Sequence, residues 1–320
     1  MNRALAERVR ASLRTGRSRG ARVDKRLTAA LRLVSLVGIV GALIALSVLR
    51  KHADDQLEHA RAALLDTATK KRAQLSSDDL QTLDRLTTVL LHAPGPYEGD
   101  KLANEARGAG ALSALLERPM IYVRGPEEAF RSDETLRRAA LLSYADAFVR
   151  CLVDPPRTRT EKAYLERIRQ ASETDAPAAR VHRLYDLVAG LPLLQTPWRD
   201  KVKAATELRE LTSLDSELHM AKLDETIAAA RARLVLFVMD ESSAPTGLSE
   251  LDGERAHDVR VTLFDLEQHA PLLRLRRHVD PAAFSDRGRA SRATALDACA
   301  LSLDVRDATT KGDTTTEAAR

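Results

Sequence analysis

The sequence predicts a mainly α-helical protein: an N-terminal transmembrane helix followed by a helical body, with a small α+β part near the C-terminus. Three observations support this fold class. Leu, Ala, Arg and Glu dominate a composition with only 3% aromatic residues, and such unbranched side chains favour helices. An uncharged apolar run lies near the N-terminus. Strand-like runs cluster only after residue 232.

The apolar run covers residues 33–49, seventeen residues without a charge. As a helix it would span about 25 Å, slightly less than a hydrocarbon core of about 30 Å. Residues 27–31 can extend it if the Arg32 side chain reaches back to the lipid headgroups. We therefore predict a transmembrane helix over 33–49. Three alternatives remain: a cleaved signal peptide, for which residues 45–47 are the nearest match to a cleavage site, a mitochondrial presequence and a buried core helix.

Charge is distributed unevenly along the chain. Residues 1–50 hold eleven Arg or Lys against two acidic residues, whereas the whole chain carries +4; the rest of the chain is therefore acidic. Because basic flanks stay in the cytoplasm, we predict a basic cytoplasmic tail over 1–32, an extracytoplasmic body, and a single-pass location in the inner (plasma) membrane. Membrane lipid is the expected partner of residues 33–49 and the tail. An acidic body argues against nucleic acid as a partner.

Small residues recur at four-residue spacing inside the predicted membrane helix. Gly38 and Ala42 form one such pair, and Gly41 and Ala45 form the other. This spacing lets two membrane helices approach closely, so these four residues are a candidate helix-association face. The alternative is that Gly and Ala are simply common in membrane helices.

A helical extracytoplasmic body is predicted over residues 53–231. Leucine stripes indicate a helix or helix pair over 53–92, and a Pro/Gly-rich segment breaks the chain near 93–99. A short apolar run at 120–123 predicts a strand. Further amphipathic segments predict helices near 100–117, 132–153, 159–172, 177–190 and 197–231.

The pattern changes near residue 232, and we predict a small α+β part over 232–306. Residues 234–239 fit a buried strand, and the alternating runs 259–263 and 273–279 fit a hairpin. The strand at 120–123 either stands apart or joins these later strands in one sheet, and the sequence does not decide between the two.

The end of the chain has a less distinct pattern. Residues 290–306 fit both helical spacing and strand alternation, and we favour a helix. Residues 307–320 are polar and are predicted to form a disordered tail.

The sequence contains no motif typical of nucleotide binding, a nucleophilic serine or a zinc protease. His257, His269 and His278 fall in the strand region and would form a metal site if they met in space. Solvated surface histidines are the favoured interpretation, because metal ligands need supporting partners. We interpret the acidic pair Asp240-Glu241 as solvated as well. We therefore predict no catalytic residue, no metal and no cofactor.

Three arginines, Arg274, Arg276 and Arg277, crowd the predicted hairpin. Strand alternation places Arg274 and Arg276 on one face and Arg277 on the other. Such a basic face would suit an anionic ligand. We favour the alternative, an edge strand protected by charge against aggregation.

The chain has two cysteines, Cys151 and Cys299. In an extracytoplasmic body they can form one disulfide, and closing so long a loop would stabilise the fold by about 4–5 kcal/mol in the chain-entropy model. The alternative is a pair of buried thiols, since Cys151 lies on an apolar helix face.

These features predict a single-pass, membrane-anchored envelope protein that acts as a non-catalytic binding or scaffold module for an envelope protein partner. One alternative is an extracytoplasmic hydrolase with a dispersed active site, which clustering of the three histidines would favour. Another is a membrane-tethered sensor. The sensor has the weakest support, because residues 1–32 are too short and too charged to fold as an output domain.

Overall fold

The computed structural model describes the backbone of residues 3–142, 147–173, 180–241, 256–280 and 290–311. It describes the side chains of residues 36–141, 147–170, 180–241, 256–280 and 295–310. The chain divides into two compact units, one formed by Met1–Ala63 with Thr206–Leu208 and the other by Leu64–Ala205 with Arg209–Arg320.

The first unit contains most of α1, the helix Arg3–Arg72. Every large apolar side chain between Leu36 and Leu49 is 48% to 66% exposed, as expected of a segment surrounded by lipid. Within the described residues, α1 is the one helix long and apolar enough to cross a membrane. This single span near the N-terminus is consistent with a membrane anchor. The side chains of the predicted tail, 1–32, lie outside the described residues.

The second unit is a sheet with helices on both faces. Its strands are β1 (Lys101–Leu102), β2 (Met120–Pro126), β3 (Val181–Arg183), β4 (Leu234–Glu241), β5 (His257–Asp265) and β6 (Ala270–Val279). The helices before β3 are α2 (Ser77–Leu80), α3 (Thr82–Leu91), α4 (Ala111–Leu116), α5 (Asp133–Leu142), α6 (Ala147–Val153) and α7 (Glu161–Glu173). The later helices are α8 (Leu184–Gly190), α9 (Thr196–Ala204), α10 (Leu208–Met220), α11 (Leu223–Ala230) and α12 (Ala290–Lys311).

The strand order is β1-β6-β5-β4-β2-β3. Strand β2 pairs in parallel with both β3 and β4, and its partners on β4 run from Leu234, opposite Met120, to Asp240, opposite Pro126. The remaining neighbours pair antiparallel. The sheet is therefore mixed, with its parallel part at the β3 side.

Each face of the sheet carries its own apolar core. On the first face, Tyr122, Leu236 and Val261 pack against residues of α4, α6 and α12. On the second face, Val123 and Phe237 pack against residues of α3, α5, α8 and α11. All eight residues of β4 are buried, because helices cover both sides of the strand.

The predicted fold class is wrong for the body. Helices do predominate among the described residues, but the body is α/β and not a helical body with a small α+β part at 232–306. The strand predicted at 120–123 is present as β2 and joins the later strands in one sheet, and β3 lies at 181–183, where a helix was predicted over 177–190. The physical reason is β4: a strand buried on both faces needs helices on both sides and paired strands at both edges.

Two predicted helices are broken up. In place of a helix near 100–117 the chain forms β1, a 3₁₀ turn and α4, with Gly108 and Gly110 at φ of 99° and 88°, values that favour glycine. The long helix predicted over 197–231 is divided into α9, α10 and α11, with Lys222 in the left-handed region at φ 45°. At the end of the chain α12 continues to Lys311, and residues 312–320 of the predicted tail lie outside the described residues.

A disulfide joins Cys151 of α6 to Cys299 of α12. The two Cα atoms are 5.2 Å apart, and both residues are fully buried. Tyr164, Leu296 and Leu303 pack around the bridge. The bridge closes a loop of 148 residues, so it restricts a large part of the unfolded chain.

Replacing both cysteines with alanine is expected to lower the free energy of unfolding by about 2–5 kcal/mol, because the unfolded chain gains freedom. Denaturant unfolding with and without a reductant measures this loss. The reductant should destabilise the natural chain and leave the Cys151→Ala/Cys299→Ala variant unchanged. Equal sensitivity of the two proteins to the reductant would contradict the prediction.

Candidate functional site

A segment between α3 and β1, residues 93–100, crosses the second face of the sheet over β5 and β6; we call it the strap. Its Pro and Gly residues prevent helix formation, so its carbonyl oxygens are available to side chains. Arg260 of β5 donates to the carbonyl of Gly95 at 2.5 Å. Arg274 of β6 donates to the carbonyl of Gly99 at 3.2 Å. The strap is thus bound to the sheet by arginines.

Tyr97 of the strap lies among three guanidinium groups. The central carbons of Arg260, Arg274 and Arg276 are 5.5, 5.9 and 5.8 Å from the ring centroid, within the range of cation–π attraction. The hydroxyl donates to Asp100. Burial, together with the hydrogen bond and charge of Asp100, raises the pKa of Tyr97 to about 12. The phenol therefore stays neutral at physiological pH.

Acidic residues of the strap bind arginines of β6. The Glu98 carboxylate lies 2.7 Å from Nη1 of Arg274. Asp100 accepts hydrogen bonds from Arg277 at 2.8 Å and from the backbone N–H of Arg276 at 3.0 Å. Burial would raise the pKa of Asp100, but these bonds and that of the Tyr97 hydroxyl outweigh it and lower the pKa. Asp100 is therefore an ionised anchor for the strap.

Glu241, at the end of β4, pairs with two arginines that face each other. Arg260 and Arg276 are direct partners across β5 and β6, a position in which like charges repel. The buried Glu241 side chain accepts from Arg260 and lies 2.6 Å from Nε of Arg276. Asp258 supplies a second carboxylate, 2.9 Å from Nη2 of Arg276, so these two cations are balanced by two acids.

The strap, the end of α3 and the sheet border a cavity of about 570 Å³, which we call the arginine groove. Phe237, Thr262 and Phe264 of the sheet contribute to its lining, as do Arg260 and Arg274. Small-molecule sites in proteins are typically of about 300–1,000 Å³, mostly apolar, with a few fixed polar groups. The arginine groove has both the size and this mixture of groups.

A second polar cluster lies on the first face, at the carboxyl ends of the parallel strands β2 and β4. Arg124 donates twice to Asp240, at 3.1 and 2.8 Å, and Nε2 of His257 lies 3.3 Å from the same carboxylate. Asp240 is 2% exposed and His257 5%. Burial would raise the pKa of Asp240, but the charge of Arg124 and the two hydrogen-bonding partners lower it.

Asp297 of α12 lies near this buried cluster and is itself 5% exposed. Among the described residues, its Oδ2 atom has no hydrogen-bond partner. Burial and the charge of Asp280 raise the pKa of Asp297 to about 6, against the opposing effect of His257 and Arg124. The carboxyl group therefore changes its charge near neutral pH.

The three histidines do not form a common site. His257 contacts Asp240. His278 is directed to the opposite face, where its Nδ1 lies 2.9 Å from Asp258, and His269 is in the turn at the far end of the hairpin. Within the described residues, no group of three or more His, Cys, Asp or Glu side chains is placed to hold a metal ion.

The other predicted site residues are placed as follows. Gly38, Gly41, Ala42 and Ala45 are all exposed on α1, and a side chain added at either glycine would meet nothing within 4 Å. Their role in helix association remains a prediction. Register places Arg274 and Arg276 on one face of β6 and Arg277 on the other.

The sequence interpretation missed the residues that organise both clusters. Asp240 and Glu241 are buried, at 2% and 7% exposure, so their assignment as solvated acids was wrong. The sequence did contain a signal for Arg124, because this charged residue directly follows the apolar residues of a buried strand, β2. Tyr97 and Arg260 gave no such signal, because they meet only in the folded chain.

Replacing Tyr97 with alanine is expected to lower the free energy of unfolding by about 2–3 kcal/mol, because three guanidinium groups lose the ring they pack against. The matched variant Tyr97→Phe keeps the ring, loses only the hydrogen bond to Asp100, and should cost about 1 kcal/mol. Denaturant unfolding measures both values. Equal losses in the two variants would show that the ring has no role.

Replacing Asp297 with asparagine should stabilise the protein in a pH-dependent way. Because its folded pKa, about 6, exceeds the ordinary value of 3.8, the natural residue favours folding only at low pH, and this contribution is lost as the pH rises through 6. The variant should be more stable by about 2 kcal/mol at pH 7.5 and by less than about 1 kcal/mol at pH 4.

Denaturant unfolding at both pH values tests this, with Asp84→Asn as the control because Asp84 is exposed on α3. A difference between Asp297→Asn and the natural chain that does not change with pH would contradict the prediction.

Two features of the body therefore combine buried charge with defined geometry: the arginine groove on the second face and the Arg124–Asp240–His257 cluster on the first. The arginine groove has an open cavity along its charged residues. No protein-family model, curated protein or solved structure matches this chain, so its function has to be inferred from these two sites.

Proposed function

We propose that this chain is a single-pass, membrane-anchored envelope protein whose α/β body is a non-catalytic binding module, with the arginine groove as its ligand site. The observation that carries the proposal is the groove itself. It combines an aromatic floor, Phe237 and Phe264, with arginines that are held in place. Arg260 pairs with the buried Glu241, and both Arg260 and Arg274 donate to backbone carbonyls of the strap. Side chains fixed in this way preorganise a site before the ligand arrives, which increases affinity.

The anchor part of the proposal is supported by α1 and by charge. Residues 33–49 are uncharged, and basic residues concentrate in the preceding tail, 1–32. Membrane lipid is therefore a partner, and the inner membrane with a cytoplasmic N-terminus is the expected location. Close approach of two copies along Gly38 and Gly41 would give self-association.

The disulfide supports an extracytoplasmic body. Cysteines in the cytoplasm are kept reduced, whereas disulfides form and persist in oxidising compartments. The bridge between Cys151 and Cys299 is completely buried, so it is part of the folded core. An envelope location also gives the body access to an envelope protein partner, while its acidic charge disfavours nucleic acid.

The hydrolase alternative receives less support from the geometry. The pair His257 and Asp240 resembles a base with an orienting carboxylate, but both residues are almost completely buried. Arg124 also holds the carboxylate through two hydrogen bonds. We assign this cluster to the stability of the fold.

The compartment is tested by thiol labelling after denaturation without reductant. The full-length chain should sediment with membranes and label at neither cysteine, since the oxidising compartment keeps the bridge closed. A variant lacking residues 1–52 should stay in the cytoplasm and label at both. The Cys151→Ala/Cys299→Ala variant supplies the background. Two reactive thiols in the full-length chain would contradict an extracytoplasmic body.

A further inference from the structure

Two cations face each other at the edge of the arginine groove. Lys101 of β1 is the direct partner of Arg274 on β6, and both residues line the cavity. Like charges in opposed positions repel one another. The other opposed pair beneath the strap, Arg260 and Arg276, shares the buried carboxylate of Glu241. The pair at the groove has no equivalent buried acid among the described residues.

The carboxylate that binds Arg274 of this pair is held loosely. Glu98 contacts Arg274, but its side chain is 70% exposed. Within the described residues, Lys101 forms no ion pair, and it is exposed. An exposed ion pair contributes little to stability, so Glu98 can leave Arg274 at small cost. The site therefore has two cations and one replaceable carboxylate.

The other residues that line the groove indicate the size and polarity of the rest of a ligand. Among its lining residues, Lys101, Arg260 and Arg274 are cationic, His92 is the one histidine, and Glu98 is the one acid. The aromatic side chains Phe237 and Phe264 give an apolar surface, and a cavity of about 570 Å³ has the volume for one small molecule.

We propose that the arginine groove binds a small amphipathic carboxylate. Its apolar body lies on Phe237 and Phe264, and its carboxylate takes the place of Glu98 at Arg274 and also binds Lys101. A carboxylate is favoured over other anions because Glu98 already presents that group to Arg274. Guanidinium and ammonium groups bind carboxylates through charge-assisted hydrogen bonds. This inference rests on the proposed function of the groove as a ligand site.

The test is equilibrium dialysis of the full-length chain in lipid nanodiscs, with empty nanodiscs as the blank. The probes share one apolar body and differ in their head group: 4-phenylbutyrate, 4-phenylbutanol, 4-phenylbutylamine and 4-phenylbutyl phosphate. The butyrate should bind about tenfold more tightly than the alcohol because of its charge-assisted bonds. The amine should bind more weakly than the alcohol. Added salt should weaken the binding of the two anionic probes only.

Variants of the chain distinguish recognition of the carboxylate from a general change in the structure of the groove. Glu98→Gln removes the internal competitor and should tighten butyrate binding by about threefold or more. Lys101→Glu should weaken it by about tenfold. Both changes should affect binding of the alcohol much less than binding of the butyrate. Lys162→Glu, the same change on an exposed lysine of α7, is the matched control and should have no effect.

Thr88→Trp fills the groove from the exposed surface of α3 and should abolish binding of every probe. If the butyrate and the alcohol bind equally well and neither binds to Thr88→Trp, the carboxylate inference is wrong, but the proposal that the groove is a binding site is retained. Tighter binding of the phosphate than of the butyrate would also overturn the inference. If no probe binds, or if Thr88→Trp has no effect on binding, the groove is not the ligand site and the proposed function fails with it.

Discussion

The structure of the body depends on two adjacent carboxylates at the end of β4. Because neighbouring side chains on a strand point to opposite faces, Asp240 meets Arg124 and His257 on one face, while Glu241 meets Arg260 and Arg276 on the other. Burying an ion without a partner costs several kcal/mol. Each carboxylate therefore requires its own cationic partners. Together the two carboxylates determine which positions of this apolar sheet can carry a charged residue.

The charges on the second face also determine where the chain can run above the sheet. Arg260 and Arg274 are neutralised by Glu241 and Glu98, and they still have donors left for backbone carbonyls of the strap. An arginine can do this because its guanidinium carries several donors in one plane. The strap is positioned mainly by polar contacts, whereas the helices on the same face are held by apolar packing. The arginine groove lies between the strap, which is held by polar contacts, and α3, which is held by apolar packing.

Local patterns in the sequence predict the elements that depend on neighbouring residues. The apolar run at 33–49, the buried strand near 234–239 and the antiparallel hairpin of β5 and β6 all follow from periodicity or from a turn. Strands β1 and β3 have two and three residues, too few to show a period. The parallel pairing of β2 with β4 and the arginines around Tyr97 join residues more than one hundred positions apart, for example Arg124 with Asp240 at a separation of 116. No local signal specifies such contacts.

This separation has a consequence for synthesis. Strand β2 leaves the ribosome well before β4, so its edge and the charge of Arg124 stay without their final partners until the later strand is made. Contacts between distant segments form slowly, because a long loop must close first. An open apolar edge is prone to pair with other chains during that interval. A chain made in this order would benefit from a chaperone that shields residues 120–126 until 234–241 have emerged.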